Sequence, residues 1–160
     1  MKRLCEYNHI QKGITRPILL ISAIIFLVMA YVIRETPPLM PVLLSSALVC
    51  VLLAFAFGTL TVKDEEDRLA VRFGPLQVFK KYIPYTEITD LEQTRSTFLA
   101  GWGIHWTLRG WLWNIGGFDC VWIETGRTSI LVGTDDPEGL VTFLQRRIDR
   151  RSNLSDEDEV

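Results

Sequence analysis

At 160 residues the chain has room for one ordinary domain, and a positive mean hydropathy with only 22% charged residues places part of it out of water. With a formal charge of −2 the chain has no net attraction for a polyanion, so nucleic acid is not the expected partner. That small total conceals a basic start, with Lys2, Arg3, Lys12 and Arg16, and an acidic end, Asp156-Glu157-Asp158-Glu159.

From Pro17 to Ile33 no residue is charged, and a second uncharged run goes from Thr36 to Val62. A helix rising about 1.5 Å per residue over each run nearly spans a hydrocarbon core about 30 Å thick. Arg34-Glu35-Thr36-Pro37-Pro38 between them is only long enough to reverse direction. The pattern predicts a transmembrane hairpin over 17–60, with helices at about 17–34 and 39–60. A cleaved signal peptide is the alternative for the first run, but Tyr31-Val32-Ile33-Arg34 lacks the small-residue cleavage pattern. Four basic residues precede the hairpin, Arg34 lies in its loop, and Lys63, Arg68 and Arg72 follow. Both ends and the domain are therefore expected in the cytoplasm, at the inner membrane. Residues 1–16 read as a cytoplasmic N-terminal segment, 61–151 as the domain and 152–160 as a disordered acidic tail. Cys5, Cys50 and Cys120 have no metal-binding spacing and suit a reducing compartment.

After the hairpin come short runs rich in β-branched and aromatic residues, with turn residues at intervals of about ten. Thr59–Lys63 reads as a first strand and Asp64-Glu65-Glu66-Asp67 as a polar turn. In Arg68–Phe73 alternation sets Leu69, Val71 and Phe73 on one face and Arg68 and Arg72 on the other. Gly74-Pro75 turns the chain, Leu76–Tyr82 makes a strand stopped by Pro84, and Ile88–Thr94 makes another. The segment GWGIHWTLRGWLWNIGG, 101–117, holds Trp102, Trp106, Trp111 and Trp113 and reads as two β segments joined near Arg109-Gly110. Cys120–Thr125 and Thr128–Val132 read as a hairpin through Gly126-Arg127. A closing helix starts at Asp135 or Asp136, with Pro137 in its first turn and Leu140, Phe143, Leu144 and Ile148 as its apolar stripe. Arg146, Arg147, Arg150 and Arg151 near its end complement the helix dipole.

The runs Arg68-Leu69-Ala70-Val71-Arg72-Phe73-Gly74-Pro75-Leu76, Ile83-Pro84, Gly101-Trp102-Gly103-Ile104, Gly116-Gly117, Val121-Trp122-Ile123-Glu124 and Gly133 to Leu140 carry a resemblance. The sequence resembles the bacterial pleckstrin-homology-like domains, often attached to membrane hairpins. The resemblance implies a bent antiparallel sandwich or barrel of about seven strands capped by a C-terminal helix. It implies a binding or assembly module rather than an enzyme, prone to self-association. No defined site transfers, and the acidic turn at Asp64–Asp67 would repel a phosphate where eukaryotic relatives carry a basic loop.

Catalytic candidates are thin: His9, His105 and Cys120 have no motif partners, His105 reading as an exposed strand residue and Cys120 as a small buried one. Asp135, Asp136 and Glu138 suit a helix cap better than a cation site, and no cofactor is expected. Trp102, Trp106 and Trp122 are expected in the core, and Trp111, Leu112 and Trp113 at a hairpin tip among headgroups. With the outward Arg68, Arg72, Lys80 and Lys81 these three make the candidate surface for lipid or a partner. The function expected is a membrane-anchored, non-enzymatic adaptor or assembly subunit, with the bilayer and a protein partner or second copy as its partners. The alternative is an enzyme of lipid or envelope metabolism, or its accessory subunit, reaching lipid through the tryptophan segment.

Overall fold

A computed structural model describes residues 7–35, 38–97, 101–126 and 128–157, the last seven as backbone. Its first element is a strand, β1 (Asn8–Lys12), followed by helices α1 (Thr15–Val32) and α2 (Met40–Ala56). After α2 come β2 (Thr59–Glu65), β3 (Arg68–Phe73) and β4 (Lys80–Pro84), then a single 3-10 turn at Tyr85–Glu87. The chain continues through β5 (Ile88–Arg95), β6 (Gly103–Thr107), β7 (Gly110–Asn114), β8 (Asp119–Thr125) and β9 (Thr128–Gly133) to α3 (Pro137–Glu157).

The two N-terminal helices pack on each other through small residues. Their buried positions are Ala23 and Ala30 on α1 and Ala47 and Ala54 on α2, seven apart on each helix. Small side chains let two backbones approach closely without help from water. The remaining faces expose Ile18, Ile21, Ile25, Val28, Leu48 and Leu52, an outer surface that is mostly apolar, with the Ser22, Ser45 and Ser46 hydroxyls turned back onto helix carbonyls. At 18 residues, α1 is long and apolar enough to cross a membrane, and α2 is a shorter apolar helix of 17 residues.

β1 corrects the reading of residues 1–16 as a separate segment. It pairs antiparallel with β2, from Asn8 opposite Lys63 to Lys12 opposite Thr59. The helical hairpin is thus an excursion between two neighbouring strands. Both of its ends are pinned: the Gly13 N–H donates to the Gly58 carbonyl (3.2 Å) and the Thr15 hydroxyl to the Phe57 carbonyl (3.4 Å).

One sheet runs β1-β2-β3-β4 and the other β5-β8-β9-β7-β6. Leu60, Val62, Leu69, Val71, Phe73 and Ile83 of the first face Ile88, Trp113, Ile115, Val121, Ile123, Ile130 and Val132 of the second, with Leu140 and Leu144 of α3 closing the core. Among the described residues there are nine strands, and β7 lies parallel to β9, which departs from the expected wholly antiparallel sandwich. Buried Asn114 makes the reversal possible. Its amide donates to the Gly117 carbonyl and its oxygen accepts from the Gly116 N–H, both at 3.1 Å, so the chain turns at once from β7 into β8.

Other boundaries differ from expectation. Leu76–Phe79 is not a strand; β4 starts at Lys80 and carries Pro84 as its last residue, on the sheet edge where a missing N–H is tolerated. Asp64 and Glu65 belong to β2, so the turn is Glu66-Asp67 alone, with Glu66 at φ +55. The acidic tail does not separate at 152: helical backbone continues to Glu157, and 158–160 lie outside the described residues, as do Cys5 and Arg127. The start of α3 meets expectation, with Asp136 Oδ1 accepting from the Gly139 N–H at 3.1 Å.

A buried polar clasp holds α3 to the first sheet. Asp64 accepts from the Tyr85 hydroxyl (2.8 Å) and pairs with Arg147, whose guanidinium also lies 5.6 Å from the Tyr85 and Phe143 ring centres. At the far end of β1, Tyr7 stacks on Phe143 (5.2 Å between centroids) and its hydroxyl donates to Asp136 at 3.3 Å. Burial, reinforced by the neighbouring carboxylates, pushes both phenols above the ordinary tyrosine range. A phenol that holds its proton more tightly when folded stabilises the fold below the unfolded value of about pH 10 and withdraws that support as the pH rises further. The thermal midpoint of the full-length protein should therefore fall on titration upward through about pH 10, and Tyr85→Phe should flatten that fall. An equally steep fall in the variant would remove Tyr85 from the account.

Candidate aromatic surface at the hairpin base

The predicted surface residues divide into groups. Arg68 and Arg72 both pair with Glu65 and lie over the Tyr82 ring (4.4 and 5.7 Å), and Arg68 also approaches Asp67 at 3.9 Å, so two carboxylates stand against the two cations. Lys80 and Lys81 take part in no ion pair among the described residues. Lys80 shares the outer face, 5.9 Å from the Tyr82 ring, whereas Lys81 lies opposite buried Val71, on the inward side of the edge strand β4. The acidic turn is no obstacle to an anion near the hairpin. Glu66-Asp67 lies at the end of β2 remote from α2, and β2, with seven residues at about 3.3 Å each, puts it about 20 Å away.

The tryptophans follow alternation but not the expected burial. Trp106 pairs with Trp111 and Ile104 with Trp113 across β6 and β7, so all four share one face of the hairpin. Near its middle that face meets the first sheet, and Trp113, 9% exposed, packs on Phe73 with ring centroids 5.7 Å apart. One residue pair further on, no sheet stands opposite: Trp111 is 44% and Trp106 63% exposed, edge to face at 5.6 Å. Trp102 is exposed as well. The expected core role therefore fails for Trp102 and Trp106, and the expected headgroup role fails for buried Leu112 and Trp113. Trp122 lies on the other face, half-buried beside Leu112, Cys120 and Leu131, its indole N–H donating to the Arg109 carbonyl (3.1 Å) under the Arg109 guanidinium.

The turn expected at Gly74-Pro75 is present, but sequence reasoning missed that it runs on to Phe79 and folds against α2. The Gly74 N–H donates to the Thr59 carbonyl (2.8 Å) and the Phe73 N–H to the Phe79 carbonyl (2.9 Å), folding 74–79 against the end of α2. Gly74 has φ +62, and a Cβ there would run into the Phe55 and Ala56 carbonyls, so glycine is what permits the contact. The turn leaves Leu76 71% and Val78 66% exposed, while Phe79 stacks on Phe57 at 5.3 Å. The available signal was Leu-x-Val-Phe following Gly-Pro, an apolar run too short and too close to the turn to be covered.

Between this turn, the hairpin base and β6 lies a cleft of about 510 Å³, lined by Thr15, Leu19, Leu53, Phe57, Phe73, Phe79, Trp102, Gly103, Ile104, Asn114 and Ile115. A second hollow of about 350 Å³ shares the Phe79 and Ile104 walls and adds Val78, Lys80, Lys81, Trp111 and Trp113. Together they form an apolar trough along the open seam between edge strands β4 and β6. Its lining is large apolar walls with two cations at one end, the make-up of a small-molecule or lipid site.

The isolated candidates are placed by packing. Cys120 is fully buried and its thiol is pushed up by desolvation, as a small core residue would be. His105, expected to be exposed, is half-buried, with Nε2 enclosed and lacking a hydrogen-bond partner among the described residues. His9 contacts Asp135 at the start of α3.

No family model, curated protein or solved structure matches the chain. Two helices, one long and apolar enough to cross a bilayer, are inserted between the first two strands of two mostly antiparallel sheets that a C-terminal helix closes.

Proposed function

We propose that this chain is a membrane-anchored, non-enzymatic adaptor or assembly subunit with a pleckstrin-homology-like domain, whose hairpin crosses the cytoplasmic membrane twice. The carrying observation is the β1–β2 pairing. Because Lys12 lies opposite Thr59, the chain enters α1 and leaves α2 from the same side of one sheet. A crossing by α1 then demands a return by α2, whose 17 residues fall at the short end of the range of about 17–25 for a spanning helix. The excess of Lys and Arg around both ends of the hairpin favours the cytoplasmic side. Two facing sheets closed by an amphipathic helix support the pleckstrin-homology-like reading, with the parallel β7–β9 pair as its departure.

The non-enzymatic part rests on where the ionisable groups go. Asp64, Tyr85 and Arg147 hold α3 in place, and Glu65 and Asp67 pair with Arg68 and Arg72. The exposed trough offers apolar contact, which suits a platform for other molecules. Affinity capture of the full-length protein from its own membranes should recover a second stoichiometric chain or a multimer. Recovery of the protein alone at monomer mass would overturn the assembly role.

A further inference from the structure

We infer that the trough at the hairpin base holds one anionic phospholipid taken from the surrounding leaflet, with an acyl chain in the cleft and the phosphate at Lys80 and Lys81. The inference rests on the membrane-anchored reading and deepens it. Three observations carry it.

The first is the way in. Leu19 of α1 and Leu53 of α2 belong both to the cleft wall and to helices whose outer faces are mostly apolar. An acyl chain beside the hairpin can slide into the cleft without crossing water, so the exchange forgoes little hydrophobic contact. The second is fit. At about 510 Å³, with Phe57, Phe79 and Ile104 as walls, the cleft is within the range of about 300–1,000 Å³ usual for small-molecule sites. Trp102 stands at its lip, half exposed, as indole does at the level of headgroups.

The third observation is charge. Lys81 is on the inward side of β4, opposite buried Val71 and next but one to buried Ile83, where alternation calls for an apolar residue. No carboxylate among the described residues pairs with it or with Lys80. Both lysines line the hollow that continues the cleft past Phe79 and Ile104. An ammonium group so placed, on an apolar stem, is satisfied by an anion arriving with an apolar tail. A second copy of the chain would have to bring a carboxylate of its own to the same point, and α1 and α2 carry none, Glu35 lying in the loop at the far end of the hairpin.

The test uses the full-length protein in mixed vesicles of phosphatidylcholine and phosphatidylglycerol, with bromine on the acyl chains of one lipid at a time. Bromine quenches tryptophan on contact, and Trp102 and Trp113 line the trough. At equal lipid composition, brominated phosphatidylglycerol should quench in a saturable phase that brominated phosphatidylcholine lacks. Lys81→Gln and Lys80→Gln should each weaken the preference about fivefold, the effect of one well-placed cation near anionic lipid. Ile104→Trp, which fills the cleft, should abolish the saturable phase, with an unchanged thermal midpoint confirming that the domain is folded. Equal quenching by both lipids, or a saturable phase indifferent to Lys81→Gln, overturns the site while leaving the anchor intact. Disappearance of that phase on diluting the protein in lipid assigns the trough to a second copy and also overturns it. Absence of quenching by either lipid removes the membrane reading, and the site with it.

Discussion

Arg147→Met should unfold the domain far more readily than any surface change, because it strands Asp64, whose side chain is 1% exposed, without its cation. Removing one partner of a buried ion pair costs about 3–5 kcal/mol, most of it the burden of the remaining unpaired charge. For a domain of this size that corresponds to a fall in thermal midpoint of more than about 10 °C, read by near-ultraviolet circular dichroism of the full-length protein. The companion variant is informative. Asp64→Leu with Arg147→Met removes both charges and should recover most of the loss, since an apolar pair of similar volume is often as stable as the ions it replaces. Tyr85 then keeps only solvent or backbone as partner for its hydroxyl, so recovery should stop short by about 1 kcal/mol. A shift below about 3 °C in the single variant would mean that α3 is held by its apolar stripe alone.

Trp113→Ala is the second large effect. Its ring fills the core against Phe73, and truncation of a buried tryptophan costs about 3–5 kcal/mol through lost burial and the cavity left behind. Trp111→Ala, two residues away on the same face, should cost less than about 1 kcal/mol, because the facing sheet has ended and solvent or lipid collapses into the gap. The contrast is measurable as two denaturation midpoints. Equal losses would mean that Trp111 is covered by something packed on the seam, and reversed losses would mean that the hairpin register is wrong.

Those two variants also mark how far the sequence could be read. Alternation in Arg68–Phe73, the closing hairpin from β8 to β9 and the cap at Asp136 were legible because each is a local pattern with a local cause. The face shared by Trp106, Trp111 and Trp113 follows from period two; the place where the opposing sheet stops does not, since it depends on a strand 30 or so residues earlier in the chain. β1 was illegible for a sharper reason. Its Gln11 is buried, donating to the Gly116 carbonyl at 3.0 Å, while its Ile10 is 56% exposed, the reverse of the amphipathic pattern that announces a strand. Asp64 looked like part of a solvated acidic turn because its cation lies 83 residues away. The trough at the hairpin base was half visible: Lys80, Lys81 and Trp111 were chosen from charge and amphipathy, whereas Phe79, Trp102 and the two helix residues joined it only through the folding of 74–79 onto α2.

The pairing of β1 with β2 across the hairpin has a consequence for biosynthesis. β1 is made first but has no partner until α1, the connecting loop and α2 have all followed it. Were α1 to cross the bilayer and α2 fail to return, the two strands would finish on opposite sides, and the first sheet would remain open along the β2 edge. In the proposed topology, completion of the sheet is thus conditional on insertion of both helices. A misinserted chain would present an unpaired strand edge, the feature by which quality-control proteases and chaperones distinguish unfinished proteins. In the proposed topology the domain outside the membrane is a latch that closes only when both helices have crossed.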